Sequence, residues 1–195
     1  MKLEKELKFT IHHNSQCLFR ILSPEDVSQS YINALKSSRG PIKNVPEDID
    51  IKWQQGYIKK ILQSPCDTIC GLFIGSELIG TSGIQNLSAG GSDNRAIELA
   101  QGHTCGCTLG ILVLDEALRG RGYGKTLVWA ACYLANNCCG VGTFAASMGK
   151  TNLPSLKSFL ACGFQVREES PGGVNVELKI GELVKPEFVE RIIVA

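Results

Sequence analysis

The spacing of apolar residues changes along the chain, and each change predicts an element. Residues 17–22, Cys-Leu-Phe-Arg-Ile-Leu, have strand character. Ser23-Pro-Glu-Asp26 follows with an N-cap hydroxyl, a proline for the first turn and acids facing the helix dipole, so a helix is expected to start there. Val27, Tyr31 and Leu35 then recur every four residues, and Trp53, Tyr57 and Ile61 repeat that period in a second helix. Residues 37–50 between them are rich in Gly, Pro and Asn and read as a loop on which substrate contacts can sit. Residues 68–74 and 78–84 are short β-rich runs separated by Gly75-Ser-Glu, a hairpin signal that makes them antiparallel neighbours.

The apolar run 109–114 suits a central strand, and Leu127, Ala131, Leu134 and Cys138 mark one face of a helix over 125–138 that Gly140 ends. Residues 143–148 read as a further strand. Asn152 caps a short helix with Pro154 in its first turn, Leu156, Phe159 and Leu160 inside and Gly163 as its stop. Residues 164–167 and 174–180 flank a Ser-Pro-Gly-Gly turn as a hairpin with one face buried, and the tail 186–195 fits a strand or a helix equally. Strands and helices intermix throughout, so the fold class is α/β (α+β).

Composition narrows the function. At 195 residues the chain has the size of one domain, 1–195, large enough to bury a core without disulfides or a structural metal. Twenty basic against 19 acidic residues, net +1, with no dense Lys/Arg run, argues against nucleic acid as a partner. No run of about 18 apolar residues spans a bilayer and the N-terminus has no apolar signal core, so no membrane role and a cytoplasmic location are expected. Nine cysteines is an odd number, which rules out a complete disulfide framework and fits small buried hydrophobes in a reducing compartment.

The stretch 119–126, Arg-Gly-Arg-Gly-Tyr-Gly-Lys-Thr, carries the chemistry. It ends like a Walker A loop, but that motif needs a glycine five positions before Gly124, where Arg119 stands; the dinucleotide pattern G-x-G-x-x-G fails as well. Successive N–H groups at the start of a helix still make an anion site, and Gly120, Gly122 and Gly124 carry no Cβ to keep an anion away from the main chain. Arg119, Arg121 and Lys125 can add charge or point into water.

In order of elements the chain resembles the GNAT superfamily of acyl-CoA N-acyltransferases. The family's Q/R-x-x-G-x-G/A loop is matched by Arg119, Gly122 and Gly124, with Leu112, Val113 and Leu114 as the aliphatic strand upstream. The family's later Asn-x-x-Ala/Ser, aromatic, Gly-Phe pattern is matched by Asn152, Ser155, Phe159, Gly163 and Phe164. The resemblance, over roughly residues 17–180, implies a central, mixed, mostly antiparallel twisted sheet flanked by helices. It implies acetyl-CoA as co-substrate, with no metal, and a small-molecule or peptide amine as acceptor. Acetyl would pass by direct attack of the amine, through a tetrahedral intermediate, to a nucleotide-linked amino sugar or a protein N-terminus. The alternative is a non-catalytic acyl-CoA-binding sensor or partner domain, and a homodimer is compatible with the likeness.

By the same resemblance, the coenzyme is held by Leu112, Val113, Leu114, Arg119, Gly120, Arg121, Gly122, Tyr123, Gly124, Lys125, Asn152 and Phe159, and the Leu114 main-chain N–H polarises the thioester. Asn152 either contacts the pantetheine arm or simply caps its helix. The position of a frequent family carboxylate is Thr108, which cannot act as a base, and a frequent family tyrosine is Phe159, which has no proton to give, leaving water or Ser155 to help the thiolate leave. His103 and Glu98 are base candidates further upstream; His103 lies about 30 Å along an extended strand from the acyl position. His103, Cys105 and Cys107 alternate as metal ligands could, without zinc-knuckle spacing or a fourth ligand. His12 and His13 near the terminus are expected to be solvated.

Overall fold

The structure, a computed structural model, describes Leu3 and residues 5–12, 15–38, 46–86 and 106–195. Its strands are β1 (Leu7–Ile11), β2 (Ser15–Ile21), β3 (Thr68–Ile74), β4 (Glu77–Gln85), β5 (Gly106–Val113), β6 (Thr143–Met148), β7 (Gln165–Ser170), β8 (Gly173–Lys179) and β9 (Val189–Val194). They form a single twisted sheet in the order β7-β8-β6-β5-β4-β3-β2-β1-β9. Every neighbouring pair is antiparallel except β5 and β6. The helices are α1 (Gln29–Ser37), α2 (Ile51–Leu62), α3 (Tyr123–Cys139) and α4 (Leu153–Leu160).

Alternation along the strands divides the apolar side chains into two cores. Leu109, Cys107 and Phe144 face α3 and α4, together with Cys17, Phe19 and Leu72. Leu112 and Leu114 face the other way and pack with Tyr31, Leu35 and Ile58 of α1 and α2. The sheet is therefore covered on both faces over its middle. The middle of helix α3 is buried all round: Thr126 to Cys132 are all at most 1 % exposed, and Trp129 meets Phe9 of β1 edge to face at 5.4 Å.

Three local expectations are corrected. Ser23-Pro-Glu-Asp26 makes a single 3-10 turn, and α1 begins afterwards, capped by the Ser28 hydroxyl, which accepts from the Tyr31 N–H. In α2 the buried face is Gln54 and Ile58; Trp53 is 43 % exposed and stacks on Tyr57 with ring centroids 5.7 Å apart, so the aromatic stripe lies outside. Mutual stacking replaces core contact for that pair. Strand β7 has no buried residue, because it is the sheet's edge and neither helix layer reaches it, whereas β8 alternates as expected.

The tail resolves as β9, antiparallel to β1 with Leu7 opposite Val194 and Ile11 opposite Val189. Leu7-Lys-Phe-Thr-Ile11 alternates apolar and polar, and the burial of Leu7, Phe9 and Ile11 follows that alternation. The β3–β4 hairpin, the α3 end at Gly140 and the α4 cap at Asn152 fall where the sequence predicts them.

Candidate active site at the splayed strands

Thr108 and Ala145 are the last residues through which β5 and β6 pair; only Gly106, Cys107 and Thr108 are in register with Thr143, Phe144 and Ala145. Both strands continue, β5 to Val113 and β6 to Met148, so the sheet opens between them. On its other side β5 stays fully paired with β4 up to Val113 opposite Gly80.

The direction of the β5 amides follows from that ladder. The Leu114 N–H donates to the Ile79 carbonyl at 3.0 Å, so Leu114 is turned toward β4. In an antiparallel pair successive residues aim their N–H and C=O alternately to the two sides. Leu112 and Gly110 therefore share the orientation of Leu114, and Ile111 and Val113 direct their polar groups into the opening. The Leu114 N–H, expected to polarise the thioester, is thus hydrogen-bonded to β4, and the neighbouring Val113 directs its N–H the other way.

The glycine loop leads into α3 beside this part of β5: a Cβ on Gly124 would come 3.8 Å from the Ile111 side chain. Thr126 is the first α3 residue whose N–H finds a carbonyl in the helix, that of Gly122 at 3.0 Å, and no side chain caps the end. The amides of Tyr123, Gly124 and Lys125 precede that bond, where helix donors are unsatisfied and the dipole is positive. Gly120 and Gly122 have φ of +76° and +92°, the left-handed region that glycine enters without strain. A Cβ on Gly122 would lie 2.6 Å from the Phe188 ring, and one on Gly124 would lie 2.6 Å from the Ser158 hydroxyl of α4, so the loop is packed closely from behind.

Among the basic side chains, Arg119 pairs with Glu116 at 2.8 Å on an exposed turn, and Arg121 and Lys125 are exposed. The Asn152 side-chain oxygen accepts from the Ser155 N–H at 3.4 Å, the helix-cap geometry. Phe159 is 2 % exposed and packs edge to face on Phe164 with centroids 4.9 Å apart; the core takes almost all of its surface. Ser155 is half-buried at the start of α4. Glu98, His103 and Cys105 lie outside the described residues.

Beside the opening, on the face that carries α1 and α2, the floor is bare. Gly83 and Gly110 are directly opposite each other in the β4–β5 ladder, and a Cβ on either would meet nothing within 4 Å. Its wall is held by polar contacts inside the protein. Tyr31 bonds to Thr81 of β4 and receives a hydrogen bond from Gln54 of α2 at 3.3 Å; burial chiefly raises its phenol above the usual range, so it stays protonated.

Buried cysteines play no visible chemical part. Burial pushes the thiols of Cys17 and Cys162 up to about 12, and raises those of Cys70 and Cys132 as well, which keeps them as thiols at neutral pH. No group of three or more His, Cys, Asp or Glu among the described residues could hold a metal ion. No helix among them is long and apolar enough to cross a membrane.

Comparison with known proteins bears on this geometry. The family model described as the acetyltransferase (GNAT) family matches residues 31–164, from α1 through the splay and the glycine loop to the end of α4. No curated protein matches the sequence significantly. Among solved structures, Mycobacterium smegmatis RimJ in complex with CoA-disulfide superposes with a TM-score of 0.68 at 12 % identity, covering 93 % of this chain and 90 % of that one. AAC(6')-Ib in complex with ribostamycin and coenzyme A gives 0.66 at 18 % identity, covering 89 % and 99 %. The Campylobacter jejuni N-acetyltransferase PseH gives 0.57 at 18 % identity, covering 83 % and 97 %. These likenesses establish the shared fold, and with a family model that spans more than half of its length the chain belongs to the GNAT acetyltransferases.

Proposed function

We propose that this protein is an N-acetyltransferase that moves acetyl from acetyl-CoA to a primary amine by direct attack. The observation that carries the reading is the opening after Thr108 and Ala145, with Ile111 and Val113 aiming main-chain groups into it and the uncapped start of α3 beside Ile111. An extended amide-bearing arm can pair with β5 as a further strand would, while its diphosphate meets the N–H groups of residues 122–125. Two structures of similar fold carry a coenzyme A group, which supports acetyl-CoA as the co-substrate.

In this reading the Val113 N–H, not that of Leu114, donates to the thioester oxygen. A donor fixed before the reaction stabilises the oxyanion of the tetrahedral intermediate by about 3 kcal/mol. Tyr123, Gly124 and Lys125 supply amides to the diphosphate, and Arg121 and Lys125 add charge that solvent weakens. Ser155 and water assist the departing thiolate, which leaves readily because a thiol titrates at about 8.5. The acceptor amine enters from the α1/α2 face over Gly83 and Gly110, where the lack of side chains leaves room for a ring or an extended chain. An amino sugar, nucleotide-linked or otherwise, and a protein N-terminus both suit that floor. The AAC(6')-Ib complex of similar fold, with ribostamycin, inclines the reading to the sugar.

Titration calorimetry with acetyl-CoA, followed by a free-thiol assay over a panel of amino sugars, polyamines and peptide N-termini, tests this. Binding with thiol release on one of these amines is the expected result. Binding with no release on any of them reassigns the chain as an acyl-CoA-binding sensor, and retention of ATP or GTP in place of every CoA ester overturns the reading.

A further inference from the structure

We propose that His12 is a positioning residue for the coenzyme-binding loop, acting through Arg121; the inference rests on the reading of that loop given above. His12 follows β1 directly, 109 residues from Arg121 in sequence, yet its Nε2 donates to the Arg121 carbonyl at 3.4 Å. Its own backbone is anchored, with its N–H donating to the Phe188 carbonyl at 3.1 Å. The imidazole stacks on the Phe188 ring with centroids 4.7 Å apart and planes 16° from parallel. Phe188 is the ring against which Gly122 sits. His12, Phe188, Arg121 and Gly122 thus form one contiguous brace, built where β1 and β9 pair.

The bond has a directional consequence. The peptide unit joining Arg121 to Gly122 is planar and trans, so its C=O and N–H point in opposite directions. With the Arg121 oxygen held by His12, the Gly122 N–H is turned the opposite way, away from the imidazole and toward the side where the anion is read to lie. Gly122 has φ of +92°, outside helix and sheet geometry. A brace that holds this plane contributes to binding by removing a rotation that would otherwise have to be frozen when the ligand arrives.

The role predicts a change in coenzyme binding and not in the chemical step. In the full-length protein, His12→Ala is expected to raise the Kd for coenzyme A and the KM for acetyl-CoA about five-fold, with kcat altered less than about two-fold, the range of one lost hydrogen bond. His12→Gln keeps an N–H donor able to reach the carbonyl and is expected to recover most of the affinity. Urea denaturation of each variant measures fold stability separately. If His12→Ala binds as tightly as the wild type, or if His12→Gln is as weak as His12→Ala, the positioning role is overturned. A wild type that does not bind coenzyme A at all removes the reading of the loop itself, and that result is seen before any variant is compared.

Discussion

Thr108 of β5 and Ala145 of β6 are the last partners of the one parallel pair among the described strands, and the gap that opens beyond them is where the main chain of Ile111 and Val113 loses its neighbour. Pairing with β4 and exposure to the gap consequently fall on alternate residues of one strand. The residues turned to β4 hold the sheet together, and those turned to the gap are available to a ligand.

Proline at two adjacent positions separates these roles, because it deletes one N–H each time. Val113→Pro is expected to leave a folded protein whose kcat/KM for acetyl transfer is lower by about a hundred-fold, the scale of a lost oxyanion donor. Leu114→Pro deletes the bond to Ile79 and is expected to lower the urea midpoint markedly. Retained activity in Val113→Pro would return the donor role to another amide.

The glycine loop offers a second contrast. Gly120 and Gly122 both have left-handed backbones, but a Cβ on Gly120 meets nothing within 4 Å while one on Gly122 meets Phe188. Gly120→Ala is expected to cost about 1 kcal/mol, the conformational penalty alone. Gly122→Ala adds overpacking against the ring and should cost about 3 kcal/mol in chemical denaturation. Equal costs at the two positions would mean that Phe188 moves aside freely.

Asp26 gives a pH signature. Burial by itself would raise its carboxyl, but hydrogen bonds from the Arg20 guanidinium at 2.7 and 2.8 Å and from the Ser23 N–H at 2.7 Å outweigh it and hold the group below the usual carboxylate range. A carboxylate depressed in the folded state contributes stability fully above its unfolded pKa of about 3.9, and loses it as pH falls through the folded value. Asp26→Asn is expected to cost about 2 kcal/mol at pH 7, with the gap to wild type closing below about pH 4. A gap that stays constant from neutral to acid pH would refute the assignment.

Much of the architecture was legible because local signals and tertiary packing agree. The Gly75 turn set the β3–β4 hairpin, Gly140 stopped α3, and Asn152 with Pro154 started α4. The uncapped, glycine-rich start of α3 was legible as well, since unsatisfied helix donors and glycines without Cβ atoms depend only on local geometry. Other features needed the neighbours. The exposed stack of Trp53 on Tyr57 shares its period with a core stripe, and sequence period cannot tell which side of a helix a sheet will cover.

The sequence by itself determined the elements, their order and the loop that opens α3, because turns, caps and hydrophobic periods are properties of a few adjacent residues. Only the tertiary structure decided which amides of β5 face the gap, because that depends on the register with β4, and a shift of one residue exchanges Leu114 for Val113. It alone brought His12 and Phe188 behind Arg121 and Gly122, since a contact across 109 residues arises from the pairing of β1 with β9 and leaves no mark on the spacing of either segment.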